Sequence, residues 1–253
     1  MSKICKIKDI LIGDGIPKVC VSVISDNHQA IITDIIRLMG YDIDIIELRI
    51  DYFKELLNQQ KLKELFKMIA TLEMKQALIL TYRSVKEGGF GELSHEEYIN
   101  LYKIALESGA FDIYDVELSS GTNAIITLNN MIHEANRKVI MSSHDFTRTP
   151  SLDTMLEKIK QMDSLEADII KLAVMPEDYK DVLLVLEMTL RANEVYDKPI
   201  VTMSMSSLGI ATRILGEQFG SAITFGKDNV ASASGQIDIR SLNEVLKIVH
   251  ENS

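Results

Sequence analysis

The stretch "ADIIKLAVM" (residues 167–175) places a lysine in the middle of an apolar run. A short run that is rich in branched apolar residues predicts a buried strand, and lysine is almost never fully buried without a partner or a function. Side chains alternate across a strand, so Ile169, Lys171 and Ala173 share one face while bulkier branched residues occupy the other. We therefore expect Lys171 to point into a barrel interior, where the small Ala173 leaves room above it.

Similar β-rich runs recur along the whole chain and alternate with helical patterns. Eight such units, spaced roughly 25–35 residues apart in a chain of 253 residues, predict an α/β fold of the (β/α)8 TIM-barrel class. We interpret residues 1–253 as a single barrel domain. The eight runs are 19–24, 42–48, 77–83, 111–118, 138–146, 167–175, 199–205 and 222–227.

A doubly wound open sheet is the alternative fold. Such a sheet normally has a Gly-rich phosphate turn after its first strand, and "SDNHQA" (25–30) is not one. The additional run "CKIKDILIG" (5–13) precedes the first unit. We expect it to be one arm of a short N-terminal β-hairpin that closes the bottom of the barrel.

Local signals predict several helix boundaries and buried faces. Segments 54–73 and 177–195 both carry apolar residues at positions i, i+3, i+4 and i+7. Ser94 followed by Glu97 forms a capping box, and Pro176 suits the first turn of the helix that follows the sixth predicted strand. The residues predicted to face the sheet are Leu62, Leu65, Phe66 and Ile69 in the first segment and Tyr179, Val182, Leu183 and Leu186 in the second.

Charged residues collect near the carboxyl ends of the predicted strands, on the same face as Lys171. Barrel active sites are built at that end. A set of charges converging inside a barrel must be paired, so an internal salt-bridge network is the alternative to an active site. The set consists of Glu47, Arg49, Arg83, Asp115, Glu117, His144 and Lys171.

A buried lysine beside a histidine permits Schiff-base chemistry. Burial and the nearby positive charges of Arg49 or Arg83 would favour the neutral amine of Lys171, which is a nucleophile towards ketones. The iminium that forms acidifies the neighbouring carbon, and His144 on the adjacent strand is the candidate general base. Glu117 could orient or charge-balance that histidine. This chemistry needs no metal.

Two flexible loops follow the third and eighth predicted strands. The segment 86–93 has three glycines within four residues, and it is either a plain turn or a lid that carries Glu87 towards the site. The Gly- and Ser-rich segment 226–237 could hold an anion through its backbone amides and hydroxyls. Arg213 could supply a bidentate partner for a carboxylate or a phosphate. Met203 and Met205 either line the pocket or belong to the core.

Composition restricts the remaining classes of partner. The net charge of −10 argues against nucleic acid and anionic membranes as main partners, whereas a local arginine cluster can still bind a small anionic substrate. No apolar run is long enough to span a membrane, and "MSKICKIKDILIG" (1–13) lacks a signal-peptide core, so we expect a cytoplasmic protein. Cys5 and Cys20 are too few for a disulfide framework.

Six segments, in order along the chain, resemble type I 3-dehydroquinate dehydratase. The pairing of the histidine and lysine segments at this spacing is the most specific feature. The resemblance implies a barrel enzyme of the shikimate pathway that converts 3-dehydroquinate into 3-dehydroshikimate and water, a homodimer, and no cofactor. The segments are "ELRID" (47–51), "TYRSVKEGG" (81–89), "SSHDF" (142–146), "IIKLAVM" (169–175), "MSMSSLGIATRILG" (203–216) and "SASGQI" (232–237).

The resemblance also assigns roles, with Lys171 as the Schiff-base lysine and His144 as the general acid and base. The last segment often has a proline where this chain has Ser234, so we expect a looser loop here. The predicted substrate-binding residues are Glu47 and Arg83 at the ring hydroxyls, Arg49, Arg213, Ser232 and Gln236 around the carboxylate and C1, Ser22 at the floor, and Glu87 from the lid.

Two other functions stay open at this point. A class I aldolase-like barrel also uses a lysine on the sixth strand, although such enzymes commonly act on phosphorylated sugars. Dehydratase-like domains can also serve as metabolite-binding modules without catalysis. Lys171 and His144 are both present, which favours an enzyme.

Overall fold

The computed structural model describes residues 3–253, and a parallel eight-stranded sheet forms its centre. Two short strands, β1 (Cys5–Ile7) and β2 (Ile10–Ile12), precede that sheet. The sheet strands are β3 (Lys18–Val23), β4 (Ile45–Arg49), β5 (Ala77–Thr81), β6 (Ile113–Glu117), β7 (Lys138–Asp145), β8 (Ile169–Val174), β9 (Ile200–Ser204) and β10 (Ile223–Gly226). The helices are α1 (His28–Met39), α2 (Gln59–Ala70), α3 (His95–Ser108), α4 (Thr122–Glu134), α5 (Leu152–Ser164), α6 (Tyr179–Val195), α7 (Ile210–Ile214), α8 (Gly216–Phe219) and α9 (Ile239–Glu251).

The sheet curls into a nearly closed barrel. Its strand order is β10-β3-β4-β5-β6-β7-β8-β9, and every neighbouring pair is parallel. The two edge strands approach each other where the Ala222 N–H donates to the Ile200 carbonyl at 2.7 Å. The predicted (β/α)8 barrel is therefore confirmed, and the open doubly wound sheet is wrong.

Alternation along β8 separates two apolar cores. Ile170 and Leu172 belong to the outer core, between the strands and the helices. Ile169 and Ala173 belong to the inner core, inside the barrel. Lys171 lies between these two inner residues, so it points inward as the alternation predicted.

The N-terminal hairpin closes the barrel at the amino ends of the strands. Strands β1 and β2 pair antiparallel, with Lys8 at a φ of 53° in the connecting turn. Ile7 and Ile12 are buried in the inner core beside the first residue of β4, Ile45. The expectation that residues 5–13 form one arm was wrong, because this segment contains both arms.

Three aspartates tie neighbouring strands together at the same end. Each stands one residue before a strand and accepts a hydrogen bond from a backbone N–H of the preceding sheet strand. These bonds satisfy donors at the strand ends that would otherwise be unpaired. The pairs are Asp44 with Val19 at 2.8 Å, Asp112 with Leu78 at 2.9 Å and Asp168 with Val139 at 2.9 Å.

The helix predictions were confirmed in part. The predicted apolar face of α2 is buried, and Ser94 and Glu97 form the capping box of α3. Pro176, however, precedes α6, whose N-cap is Asp178. The predicted face of α6 was half wrong: Val182 and Leu186 are buried, whereas Tyr179 and Leu183 are exposed. Within residues 3–253, no helix has the length and apolar character needed to cross a membrane.

Candidate active site

A small cavity of about 50 Å³ lies at the carboxyl ends of the barrel strands. Eight of the ten predicted site residues line it. Ser22 and Glu87 lie behind the lining, and each is hydrogen-bonded to a lining residue. Met203 and Met205 line the cavity and also pack in the inner core, so both alternatives left open for them hold. The eight are Glu47, Arg49, Arg83, His144, Lys171, Arg213, Ser232 and Gln236.

Lys171 is buried at the base of this cavity, with carboxylates as its nearest charges. Its Nζ lies 3.6 Å from Glu47 Oε1 and 3.6 Å from Asp115 Oδ2. It also lies 4.5 Å from the centre of the Phe225 ring, a cation–π geometry. Sequence reasoning considered only the positive charges of Arg49 or Arg83 near this amine, whereas the groups within ion-pair distance of Nζ are two carboxylates.

Glu47 connects the lysine to the floor of the site. Its carboxylate accepts hydrogen bonds from Thr81 at 2.8 Å and from the hydroxyl of Ser22. Burial by itself raises the pKa of Glu47, but the charges of Lys171 and Arg49 outweigh burial and lower it to about 2. Glu47 is therefore a fixed negative charge at the lysine.

His144 is held by Glu87 rather than by Glu117. Glu87 Oε2 accepts a hydrogen bond from the His144 backbone N–H at 3.0 Å and lies 2.9 Å from its Nδ1. Burial first, and then the charge of Arg83, hold the pKa of His144 well below its usual value. Burial and the charge of Glu117 raise the pKa of Glu87 to about 7. The neutral imidazole therefore has its Nε2 left for proton transfer.

Arg83 is the centre of an ion-pair network beside the cavity. Its Nη1 donates to Glu117 at 2.9 Å and to Ser142 at 2.9 Å, and its Nη2 donates to Asp115 at 2.8 Å. Burial opposes its charge, but these carboxylates outweigh burial and raise the pKa of Arg83. The predicted role of Glu117 at the histidine was wrong, because its carboxylate binds Arg83 and the Ser84 N–H.

Arg213 is a buried cation without an acidic partner among residues 3–253. Its guanidinium donates to the Ser234 carbonyl at 3.2 Å and to the Phe225 carbonyl at 3.5 Å. Its Nε has no hydrogen-bond partner in the same part of the chain. Burial lowers the pKa of Arg213 to about 10. A buried cation that lacks its counter-charge is suited to an anionic ligand group.

Sequence comparison identifies the family of this barrel. The family model of type I 3-dehydroquinase matches residues 19–253. The chain belongs to the type I 3-dehydroquinase family.

Relatives and solved structures agree with this assignment. A 3-dehydroquinate dehydratase of Clostridioides difficile is 40% identical over 253 residues, covering 100% of this chain and 99% of the relative. A 3-dehydroquinate dehydratase of Escherichia coli is 39% identical over 250 residues, which cover 98% of this chain and 99% of the relative. A crystal structure of the type I enzyme from Clostridium difficile, with covalently modified comenic acid, has a TM-score of 0.96 at 40% identity and full coverage of both chains. The crystal structure of 3-dehydroquinate dehydratase from Geobacillus kaustophilus has a TM-score of 0.96 at 32% identity, and the match covers 99% of this chain and 98% of that chain.

In this member of the type I 3-dehydroquinase family, residues 86–93 form a tight turn that does not line the cavity. The Gly89 N–H donates to the Ser84 carbonyl at 2.9 Å, and the Gly91 N–H donates to the Arg83 carbonyl at 3.2 Å. Gly88 has a φ of +79° where the 3₁₀ turn Val85–Glu87 ends. This turn directs Glu87 to His144.

The cavity is covered instead by the loop after β10. Ser232 donates to Ser22 at 3.0 Å and accepts from Gln236 at 3.0 Å. Ser234, the residue for which we expected a looser loop than a proline would give, accepts a hydrogen bond from the Ser206 N–H at 3.2 Å. A proline has no hydroxyl to supply this bond, so the bond offsets part of the expected loosening.

Two residues of the site lay outside the sets predicted from sequence: Asp51, which forms a bidentate ion pair with Arg49, and Phe225, whose ring lies against the lysine. Asp115 belonged to the predicted set of inward charges but was given no role, and it lies between Arg83 and Lys171. Asp115 and Phe225 carried a signal, since both face inward at strand ends. Asp51 follows the strand, so alternation could not orient it. Among residues 3–253, no group of three or more His, Cys, Asp or Glu is arranged to hold a metal ion.

Proposed function

We propose that this chain dehydrates 3-dehydroquinate to 3-dehydroshikimate through a Schiff base on Lys171. Membership of the type I 3-dehydroquinase family makes it a dehydratase, a lyase of the shikimate pathway. The observation that carries the Schiff-base step is one small cavity lined by both Lys171 and His144. An amine and a neutral imidazole in one cavity are the two groups that imine-based proton abstraction requires.

Lys171 supplies the nucleophile in the first step. Its amine loses a proton and adds to the ketone carbon of the substrate, and the oxygen leaves as water to give an iminium. Glu47 and Asp115, each 3.6 Å from the nitrogen, stabilise the positive charge of both the ammonium and the iminium. The iminium draws electrons from the adjacent C2 carbon and makes its proton acidic.

His144 carries out the proton transfers of the second step. Because Glu87 lies on Nδ1, the Nε2 atom is available to take the C2 proton. The resulting imidazolium returns a proton to the C1 hydroxyl, which leaves as water while the C1–C2 double bond forms. Water then hydrolyses the iminium and frees Lys171, so that the net reaction removes one water from the substrate.

The remaining cavity residues would hold a polyhydroxy carboxylate. Arg213 is the candidate for the carboxylate, because its buried guanidinium lacks a counter-charge among residues 3–253. Arg49, Ser232 and Gln236 complete the carboxylate and C1 region. We assign Glu47 and Arg83 to binding of the ring hydroxyls. Ser22 forms the floor of the site through its hydrogen bonds with Glu47 and Ser232, and Glu87 positions the histidine.

One relative supports a covalent mechanism. The type I enzyme from Clostridium difficile has been crystallised with covalently modified comenic acid, and its chain is 40% identical to this one. A covalent ligand in such a close relative favours a nucleophilic residue in the shared cavity. Lys171 is the candidate nucleophile here.

Borohydride trapping tests the Schiff base directly. The protein is incubated with 3-dehydroquinate, reduced, digested and analysed by mass spectrometry. We expect a stable adduct on the peptide that contains Lys171, and none on the peptide that contains Lys158, whose amine binds Ser143 on the outer side of β7. Turnover without an adduct on Lys171 would contradict the mechanism.

The same experiment separates the two other functions. A binding module would bind the ligand with neither turnover nor adduct. An aldolase-like barrel would form an adduct with a phosphorylated sugar and cleave a C–C bond, so phosphorylated sugars are tested in parallel. We expect neither of these results.

We also propose a homodimer in the cytoplasm and a single barrel domain over residues 1–253, as the resemblance implies. Exposed apolar residues on α6, including Tyr179 and Leu183, offer a surface that a second copy could cover. Light scattering coupled to size exclusion should give twice the chain mass of 28.4 kDa. A monomer at all concentrations would contradict the dimer.

A further inference from the structure

Asp51 is a buried carboxylate whose two oxygens are both fully engaged. Oδ1 accepts from Arg49 Nε at 2.8 Å and from the Arg83 backbone N–H at 3.3 Å. Oδ2 accepts from Arg49 Nη2 at 2.9 Å and from the Phe90 backbone N–H at 3.2 Å. Each oxygen thus binds the guanidinium once and the backbone once, and the side chain is 0% exposed.

Aromatic contacts close this arrangement into a circuit. The Arg49 guanidinium lies 5.1 Å from the centre of the Tyr52 ring. That ring packs edge to face against the Phe90 ring at 4.8 Å, and the Phe90 N–H returns to Asp51. The arginine therefore has both its in-plane edge and one face fixed.

The second arm of Asp51 reaches the segment that carries Glu87. The Arg83 and Phe90 N–H groups stand at the two ends of the turn of residues 83–91, and Asp51 binds both. Between them, Glu87 holds His144 through Nδ1 and through the backbone N–H. A shift of the turn would move Glu87 and with it the imidazole.

We infer that Asp51 is a positioning residue that aligns Arg49 with the substrate and holds the Glu87 turn against His144 at the same time. The inference rests on the proposed dehydration, because it assigns Asp51 to the machinery of that reaction. Arg49 is expected to act in substrate binding and the Glu87–His144 pair in proton transfer. Loss of Asp51 should therefore raise KM through one arm and lower kcat through the other.

Hydrogen exchange tests the positioning without reference to activity. In Asp51→Asn, which keeps the size of the side chain, we expect the amides of residues 85–91 and of His144 to exchange at least about tenfold faster. The remainder of the barrel should keep its exchange rates. Asp44→Asn is the matched control, since Asp44 also accepts a backbone N–H but lies at the opposite end of the barrel.

Kinetics then separate the two arms. Asp51→Asn should lower kcat about tenfold or more and raise KM, since misplacing catalytic groups by about 1 Å can cost about 100-fold in rate. Phe90→Pro removes both the N–H donor and the ring, whereas Phe90→Ala removes the ring alone. We therefore expect Phe90→Pro to have a lower kcat than Phe90→Ala, with the same KM. If Asp51→Asn fails to fold, the comparison of Phe90→Pro with Phe90→Ala still decides the turn arm.

Three results would overturn the inference. These are unchanged exchange at residues 85–91 in Asp51→Asn, a uniform increase of exchange across the barrel, and an Asp51→Asn enzyme with the kcat and KM of the unmodified chain. The first two results are independent of turnover. Absence of dehydration by the unmodified chain would instead contradict the proposed function, so the two failures are distinguishable.

Discussion

The two ends of the barrel interior are built from the same strands and the same inward positions, yet they differ completely in chemistry. At the amino ends, inward residues such as Ile45, Ile113 and Ile169 pack with the hairpin into a dry apolar core. Two residues further along β4 and β8, the inward positions hold Glu47 and Lys171. One step of the strand period therefore separates the apolar core from the candidate active site.

This difference shows how the barrel divides stability from chemistry. The inward residues at the amino ends form a lower layer, and those near the carboxyl ends form an upper layer. The lower layer stabilises the fold by burying apolar surface, at about 25 cal/mol per Å². The upper layer buries charges, which cost free energy unless every one is paired. Glu47, Arg83 and Asp115 are paired, whereas Arg213 lacks an acidic partner among residues 3–253. The layer is thus satisfied except where an anionic ligand would add its charge.

The largest effect should follow from removing the lysine of the upper layer. Lys171→Ala eliminates the nucleophile, and we expect kcat to fall by about four orders of magnitude or more, or about 5.5 kcal/mol. Steady-state assays with 3-dehydroquinate measure this. Lys138→Ala, at the amino end of β7, is the control and should retain normal turnover. Near-normal activity of Lys171→Ala would mean that the lysine is structural.

A cavity in the lower layer should have the opposite signature. Ile169→Ala lies two residues below the lysine, and we expect it to lower the free energy of unfolding by about 2–5 kcal/mol. The kcat of the folded protein should stay within about twofold, because Ile169 does not line the cavity. Urea unfolding and active-site-titrated kinetics measure the two quantities. Ile36→Ala, on the exposed face of α1, is the control.

If Ile169→Ala lowers kcat as strongly as it lowers stability, the two layers are not separable. The division between stability and chemistry would then be wrong for this barrel.

The upper layer should also make stability depend on pH through Glu87. Its pKa is raised from 4.5 to about 7 by burial and by Glu117, so the folded state binds this proton more tightly than the unfolded state. The protonated Glu87 therefore adds up to about 3 kcal/mol to the free energy of unfolding. This stabilisation is fully present below pH 4.5 and is lost as the pH rises to about 7. His144 acts in the opposite direction, because its stabilisation is lost as pH falls below 6.5.

Comparing Glu87→Gln with the unmodified chain isolates the first effect, since both contain His144. The stability difference, unmodified minus variant, should decrease from pH 5 to pH 8 in urea unfolding. Glu92→Gln, an exposed position on the same segment, should show no such trend. A difference that stays constant or grows with pH would contradict the raised pKa of Glu87.

The smallest effect should come from Ser234→Pro in the covering loop. The change removes the bond between the Ser234 hydroxyl and the Ser206 N–H but keeps the carbonyl that binds Arg213. Among residues 3–253, the Ser234 N–H donates no hydrogen bond that proline would lose. Loss of the bond and gain of rigidity should nearly cancel. We expect the free energy of unfolding to change by less than about 1 kcal/mol and KM by less than about threefold. A tenfold change in KM would show that the loop depends on the hydroxyl.

Prediction from sequence worked wherever one strand or one helix carried the information. The inward direction of Lys171 followed from alternation alone, and the capping box at Ser94 followed from two residues three apart. The face of α6 was predicted only in part, because several registers of an apolar helix satisfy the same spacing. Tyr179 and Leu183 fit the pattern but face outward.

The partner of His144 could not be predicted in this way. Register places Glu117 beside Ser142, and β6 ends there, so His144 stands two residues beyond the reach of that strand. The turn that delivers Glu87 occupies this level instead. Alternation predicts which way a side chain points, but it does not predict how far along the axis a neighbouring strand extends.

The sequence by itself therefore determined the eight strand–helix units, the inward set of charged residues and the family. Only the tertiary structure decided which charges pair. It places carboxylates around Lys171 and Glu87 against His144, and it lets Asp51 bind both Arg49 and the Phe90 N–H. It leaves Arg213 without an acidic partner among residues 3–253. The physical reason is the sequence separation over which each kind of contact acts. Periodicity arises from neighbours along one chain segment, whereas pairing depends on register and loop paths between segments far apart in sequence.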